Sequence, residues 1–428
     1  MRSTLVSIMH RAVWQRLPRS LRRSALFSLA DLLAPRISES CRAAGPIIVV
    51  GPLRTASGLG ESARLCHDAL KILGLPVFAI DVAPILMQSD DGVEFEFADG
   101  RLVAGPATLI FHVNGHLMSL AMLGLPRKLV RQSRIIGYWA WELPKVPSDW
   151  LRGMRFVHEI WVPSTFTAQA IGDIASNVTM RVVPHPISIR PVHPRAFSRD
   201  PTKPFVVLAM FNMASSMARK NPLGAIEAFK AAFGNDPGVR LVVKCSNLDT
   251  FPPGARQLRA CCPKGGNIVL AEAVMDQAGL DALYSEADAV ISLHRSEGFG
   301  LVIAEAMLRG VPVVATAWSG NTDFLSKATG VPIGYDLVPA VDPQDTYDFS
   351  ETVWAEPRIK EAAQALRLLR SDPAWARALG ESAAAFAAAA FGPAAYAEAI
   401  GCLSRPWPLD FSPGSRSDWL TPSPQIPA

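Results

Sequence analysis

From Pro46 onward the chain alternates between short apolar runs and longer amphipathic stretches. "PIIVVGP", "LPVFAIDV", "ATLIFHVN", "SRIIGYWAWE" and "EIWVPS" are bounded by glycine, proline or polar turn residues. Such runs predict strands buried on both faces. Between the first two lies "TASGLGESARLCHDALKILG", a glycine turn, a helix and a terminating glycine. A strand–helix–strand rhythm predicts a parallel sheet with crossover helices. At "MRVVPHPISIRPVHPRAFSRDPTKP" the period is lost and prolines accumulate, which places a domain boundary within residues 188–203.

A second block repeats the rhythm. "FVVLAM", "VRLVVKC", "NIVLAEA", "DAVISLH" and "VPVVAT" read as strands, with "NPLGAIEAFKAAFG" and "DQAGLDALYSEA" as helices between them. Glu381–Ala390 and Pro393–Leu403 read as terminal helices. The pattern therefore predicts an α/β chain of two doubly wound domains in tandem, residues 45–195 and 200–392, facing a cleft. A terminal helix over 393–405 is expected to cross back to the first domain, and a Pro/Ser-rich tail over 406–428 is expected to fray. Ligands of such sheets bind at the carboxyl ends of the strands, so the cleft is the natural site.

Residues 1–44 form a separate arm. Leu5, Ile8, Met9, Val13, Trp14 and Leu17 recur at helical spacing, with arginines between them and a break near Pro18. Charge sharpens this reading. Residues 1–36 hold Arg2, Arg11, Arg16, Arg19, Arg22, Arg23 and Arg36 against Asp31, so the segment is +6 and the rest of the +4 chain is −2. Two readings stand: a helical arm packed on the body, or a basic amphipathic arm lying on an anionic membrane surface. The near-neutral body carries no footprint of a nucleic-acid binder.

With 49% hydrophobic residues, 428 residues suffice for two full cores. No apolar run is long enough to span a membrane. "SALFSLADLLAP" carries Asp31 and follows too long a charged stretch for a secretion signal. The cysteines Cys41, Cys66, Cys245, Cys261, Cys262 and Cys402 show no metal-ligand spacing, so reduced thiols in a cytoplasmic compartment are expected.

Three stretches carry candidate chemistry. In "GPLRTASGLGESAR", Gly58 and Gly60 open a helix after a strand, where backbone amides can receive an anion. The third glycine of a dinucleotide fingerprint is missing, which favours some other phosphate group, and a plain strand–helix turn stays open. In "SSMARKNP", Arg219 and Lys220 precede a helix that Pro222 begins. Cations at that end oppose the helix dipole unless an anion joins them, which points to a diphosphate clamp, with an ordinary solvated pair as the alternative. "SEGFGLVIAEAMLRGVPVVAT" places Glu297 in the turn Gly298-Phe299-Gly300 and Glu305 inside an apolar helix running from Leu301 to about Arg309, with Gly310 as its stop. A carboxylate in such a helix needs donors, and ligand hydroxyls would serve.

That last segment resembles the E-x7-E motif of GT-B glycosyltransferases, in particular retaining family 4, and the order of elements agrees over about residues 46–403. The resemblance implies two Rossmann-like domains. It implies that Glu297 meets the donor sugar and Glu305 the ribose hydroxyls. Amides around Gly298, Phe299, Gly300 and Leu301 would face sugar and phosphate. Arg219 and Lys220 would neutralise the departing diphosphate, and the Gly58–Gly60 turn would close over it. No cofactor and no metal is implied, only a nucleotide-diphosphate sugar and a glycan or lipid-linked acceptor. "GYWAWELPKVPSDW", "EIWVPSTFTAQA" and "RKNPLGAIEAF" resemble a subgroup tied to bacterial polysaccharide assembly, which would work on the inner face of the plasma membrane.

The chain departs from the pattern at three places. Ser215 stands where an arginine is usual, and "SGNTD" replaces Gly-Gly-x-x-Glu. Glu142 follows the strand that usually ends in a sugar-facing histidine, and it is the candidate for that role, with a structural ion pair as the alternative. His112 and His116 are candidates for the acceptor side, and His185 is expected to be hinge structure. Tyr138, Trp139 and Trp141 are divided between sugar stacking and core packing. A sugar-nucleotide epimerase, a phosphorylase and a non-catalytic sugar-nucleotide binder remain as rival activities.

Overall fold

A computed structural model describes residues 19–39, 45–88, 90–175, 177–189, 202–347 and 352–401, with the side chains of the first helix from Leu26 onward. The expectations for residues 1–18, for most of the proline-rich boundary and for the tail lie outside the described residues. Helix α1 (Arg19–Leu33) precedes the first domain. That domain holds β1 (Ile47–Gly51), α2 (Gly58–Ile72), β2 (Val77–Asp81), β3 (Thr108–Phe111), α3 (Met118–Met122), α4 (Arg127–Gln132), β4 (Arg134–Tyr138), β5 (Glu159–Val162), α5 (Thr165–Gly172) and β6 (Thr179–Val182). The six strands are parallel, in the order β2-β1-β3-β4-β5-β6. β1 and β3 are buried at every position, as their unbroken apolar runs require.

The second domain holds β7 (Phe205–Asn212), α6 (Met217–Lys220), α7 (Pro222–Phe233), β8 (Val239–Ser246), α8 (Pro252–Cys261), β9 (Ile268–Glu272), α9 (Gln277–Glu286), β10 (Ala289–Ser292), α10 (Leu301–Leu308), β11 (Val313–Thr316) and β12 (Val331–Ile333). A hairpin of β13 (Tyr335–Pro339) and β14 (Val353–Pro357) follows, then α11 (Ile359–Ser371), α12 (Pro373–Ala390) and α13 (Pro393–Ala399). The strand order β9-β8-β7-β10-β11-β12 is that of a dinucleotide-binding sheet, reversing direction between β7 and β10. The chain segments that leave those two strands carry Arg219, Lys220 and Glu297.

The first and last described helices pack on the first domain. Phe27, Ala30 and Ala34 of the arm are buried, and the Phe27 ring meets His116 edge-on at 6.0 Å. Arg127 donates to the Leu33 carbonyl at 2.8 Å, and the Ser38 carbonyl lies 2.7 Å from His158 Nε2. The other side of α1 presents Leu29, Leu32 and Leu33 to solvent, Leu32 at 80% exposure. At the far end, α13 returns to the first domain, where Tyr396 donates to the Cys66 sulfur at 3.2 Å.

Some elements differ from their sequence reading. The strand expected through Glu142 stops at Tyr138, because the chain turns there to bury Trp139, Trp141 and Trp150 against one another. The alanine-rich helix begins at Pro373, where Asp372 caps it by accepting from the Trp375 amide. β6, β12, β13 and β14 were not expected.

Candidate active site

The loop after β10 brings Glu297 against both cations of α6. Arg219 Nη1 lies 3.1 Å from one carboxylate oxygen, and Lys220 Nζ bonds the other. The segment is shaped by its ends. Asn221 adopts a left-handed conformation and its side chain accepts from the Gly224 amide, which starts α7. Ser216 caps α6 by accepting from the Arg219 amide. On the other side, Ser319 Oγ accepts from the Glu297 amide at 2.7 Å, and the Gly320 amide donates to the Glu297 carbonyl. Gly300 sits at φ +101, a conformation that favours glycine, and initiates α10.

Burial alone would raise the Glu297 pKa. Lys220 and Arg219 outweigh it and bring the carboxylate down to about 2. Lys220 is pulled below the ordinary lysine range by burial, opposed by Glu297. Arg219 is almost wholly buried and also donates to the carbonyls of Ser296 (2.8 Å) and Ser215 (3.0 Å). Three buried polar atoms around this crevice have no partner: Arg219 Nε, Ser296 Oγ and Trp318 Nε1. They lie beyond the carboxyl ends of β7, β10 and β11, which are neighbours in the sheet. Buried polar groups without partners cost free energy, and two of the three stand on the segments that leave the switch-point strands β7 and β10.

The first domain closes on this crevice. Ser164 Oγ (2.6 Å) and Thr167 Oγ1 (3.2 Å) at the start of α5 donate to the Gly298 carbonyl. Asn212 at the end of β7 donates to the Ala56 carbonyl, in the turn before Gly58. A Cβ on Gly58 would meet nothing within 4 Å, whereas one on Gly60 would strike the Thr55 carbonyl at 2.5 Å. Gly60 is thus required by its own turn, and Gly58 leaves open space for a ligand. Glu142 is half-buried and accepts from the Tyr347 hydroxyl at 3.0 Å; its charge acts on both Arg219 and Lys220. The structure therefore brings Glu142, Arg219, Lys220 and Glu297 together.

Glu305 has different company. Tyr284 donates to it at 2.9 Å. The Tyr284 ring lies beneath the Arg309 guanidinium at 4.5 Å, and Arg309 is bound to Asp281. An open pocket of ≈ 660 Å³ lies beside this group, lined by Val274, Met275, Asp276, Gly279, Ala282, Leu283 and Glu286. The pocket is on α9 and the loop before it rather than over the ion triad. Among the described residues no cluster of His, Cys, Asp or Glu has the form of a metal site.

A family described as "Family 4 Glycosyltransferase in conflict systems" matches residues 168–399, a little over half of the chain. The chain belongs to this family. Solved structures share the architecture. The sucrose-phosphate synthase of Thermosynechococcus elongatus is 19% identical, with 84% of this chain and 98% of that one covered and a TM-score of 0.58. The Anabaena protein Alr3699/HepE, solved with UDP-glucose, is 14% identical over 84% of this chain and 99% of its own, with a TM-score of 0.56. The chain spans about half (55%) of the length of the S. aureus TarM chain it matches, at 14% identity over 69% of its own length and a TM-score of 0.48. At these identities the likeness is one of fold: two parallel-sheet domains of the GT-B type.

Several candidates fall outside the crevice. His112 is buried at the end of β3 against Ser62 Oγ (2.7 Å) and stacked on Tyr138. His116 is packed between Phe27 and Trp150. Tyr138, Trp139 and Trp141 are core residues, not stacking platforms. His185, next to the boundary, hydrogen-bonds with Tyr138 and packs on Phe299; burial lowers its pKa to about 3 and keeps it neutral. In "SGNTD", Asn321 meets His294 at 3.0 Å and Asp323 accepts from the Thr165 amide of the first domain. Tyr347, Ser164 and Thr167 were missed. Ser164 precedes α5 with a capping signature, but nothing local says that it reaches a loop 134 residues away.

Proposed function

We propose that the chain is a retaining glycosyltransferase that moves a sugar from a nucleotide-diphosphate donor to a glycan or lipid-linked acceptor without a metal ion. One observation carries the reading: a buried Glu297–Arg219–Lys220 triad at the switch point of the second sheet, with unpartnered polar atoms around it. Transfer breaks the bond between the anomeric carbon and the diphosphate, and two or more negative charges appear on the leaving group. Lys220, the more accessible cation, would pass from Glu297 to the phosphate, and the amides opening α10 would add their dipoles. Glu297 would then be free to accept from sugar hydroxyls. The acceptor oxygen bonds to the same face of the carbon, and its proton leaves with the departing phosphate oxygen.

Glu305 and the pocket beside Tyr284 suit the nucleoside end of the donor. HepE, of the same fold, was solved with UDP-glucose, which supports a nucleotide sugar here. The family description ties its members to conflict systems, whereas the sequence of the subgroup suggested polysaccharide assembly, so acceptors of both kinds belong in the assay. The outward leucines of α1, next to the basic arm, support a role at an anionic membrane surface. Among the described residues no helix is long and apolar enough to cross a membrane.

The test is incubation with UDP-, GDP- and ADP-sugars, with and without EDTA. Release of nucleoside diphosphate undiminished by EDTA, with the sugar transferred to an acceptor in its original anomeric configuration, is the expected result. An isomerised donor would make the chain an epimerase. Binding without turnover would make it a non-catalytic module.

A further inference from the structure

We propose that Tyr347 is a positioning residue of the donor site, holding Glu142 of the first domain and Arg219 of the second in fixed relation across the cleft. The inference rests on the donor-site reading above. The hairpin β13–β14 belongs in sequence to the second domain, between β12 and α11. Part of it packs on the second domain, where Tyr335 meets Trp318 and Arg295 pairs with Glu356 and lies over the Trp354 ring. Tyr347 and Trp354 are buried in the core cluster of the first domain, with Val338 and Ala340 packed against it.

The loop of the hairpin grips the cation-bearing segment. Asp342 is buried and accepts from Ser216 Oγ at 2.8 Å and from the amides of Gln344, Thr346 and Tyr347. Gln344 accepts from the Met217 amide at 2.6 Å and donates to the Met213 carbonyl at 2.9 Å. The turn between β7 and α6 is thereby fixed to the loop from which Tyr347 projects. Tyr347 then acts in two directions. Its hydroxyl donates to Glu142 at 3.0 Å, and its ring lies 5.4 Å from the Arg219 guanidinium carbon. Trp141 backs the same ring at 5.5 Å.

The arrangement answers an electrostatic problem. Glu142 and Glu297 are both within the field of Arg219 and Lys220. Given no other donor, Glu142 would compete with Glu297 for the same cations and fold into the triad. A neutral hydroxyl satisfies it on its own side of the cleft without adding charge. The ring meanwhile supports the guanidinium on its apolar face, a contact that strengthens when water is excluded. Misplacement of such groups by about 1 Å costs roughly 100-fold in rate.

The experiment is a double-mutant cycle on the full chain. Tyr347→Phe keeps the ring and removes the hydroxyl; it is combined with Glu142→Gln, and Glu297→Gln is run beside them. The turnover number, the KM for UDP-glucose (GDP- and ADP-glucose in parallel) and the melting temperature are measured for each. The expected result is a fall in kcat of roughly 10-fold or more for Tyr347→Phe, with KM within about twofold and the double variant no slower than Glu142→Gln alone. Wild-type kcat in Tyr347→Phe, or losses that multiply in the double variant, would overturn the assignment while Glu297→Gln is inactive. Normal turnover by Glu297→Gln, or no release from any of the three donors by the unmodified chain, would overturn the donor-site reading, and the Tyr347 role with it.

Discussion

At the scale of residues, Glu297 is a carboxylate that burial would neutralise if its two cations were absent. Glu297→Gln keeps the shape and removes the charge. Turnover should fall about 100-fold or more. Binding of a nucleoside diphosphate should be kept or strengthened, because both cations are released to it. The cost is a buried Arg219 and a partly buried Lys220 that keep only the more distant Glu142 as counter-charge, so the variant should be less stable at neutral pH. The sign with pH follows from the direction of the shift. The folded-state pKa lies below the ordinary value of 4.5, so the ion pair stabilises the fold fully above about pH 4.5 and less as pH falls towards about 2. The gap in melting temperature between wild type and variant should therefore narrow over that window. A constant gap would mean that Glu297 is not ionised by these partners.

Glu297, Arg219 and Lys220 were legible in the sequence because each is a charge in a place that local structure does not favour: cations before a helix, and an acid at a strand's carboxyl end. Glu142 was legible by its position after a strand. Tyr347 was not, because its partner stands 205 residues away and the residues between carry no period that links them. At Gly60 the missing Cβ also makes room for the chain's own carbonyls, a constraint of the turn that the sequence alone did not separate from one of a ligand.

At the scale of elements, β1 to β5 and β7 to β11 were legible as apolar runs, since strands covered on both faces need no polar alternation; the edge strands β6 and β12 were not, β6 being mostly exposed. The hairpin β13–β14 was hidden because its strands have mixed burial and cover another domain's core. The arm left two readings open, packing or membrane, and the structure gives α1 a face for each. Phe27, Ala30 and Ala34 pack inward, while Leu29, Leu32 and Leu33 face out. A chain beginning at Gly45 should lose the burial of one aromatic side chain and its neighbours, about 2–3 kcal/mol, and melt several degrees lower, roughly 5 °C or more. It should also lose binding to anionic vesicles, which in the full chain should be strong at low salt and fall as salt rises. Co-sedimentation and melting curves on both chains check this. Equal pelleting of the two would remove the arm from any membrane role.

At the scale of the whole molecule, the two domains meet through the groups that shape the site. Ser164 and Thr167 hold the Gly298 carbonyl, Asn212 holds the turn before Gly58, and Tyr347 joins Glu142 to Arg219. The central claim is that the cations at the switch point exist for a diphosphate. Calorimetric titration of the Lys220→Ala variant with UDP and with uridine tests it most directly, with GDP, ADP and their nucleosides in parallel. The account predicts that the substitution weakens diphosphate binding at least about 10-fold, while nucleoside binding stays within about twofold. An equal loss for both ligands, or no loss for either, would contradict it.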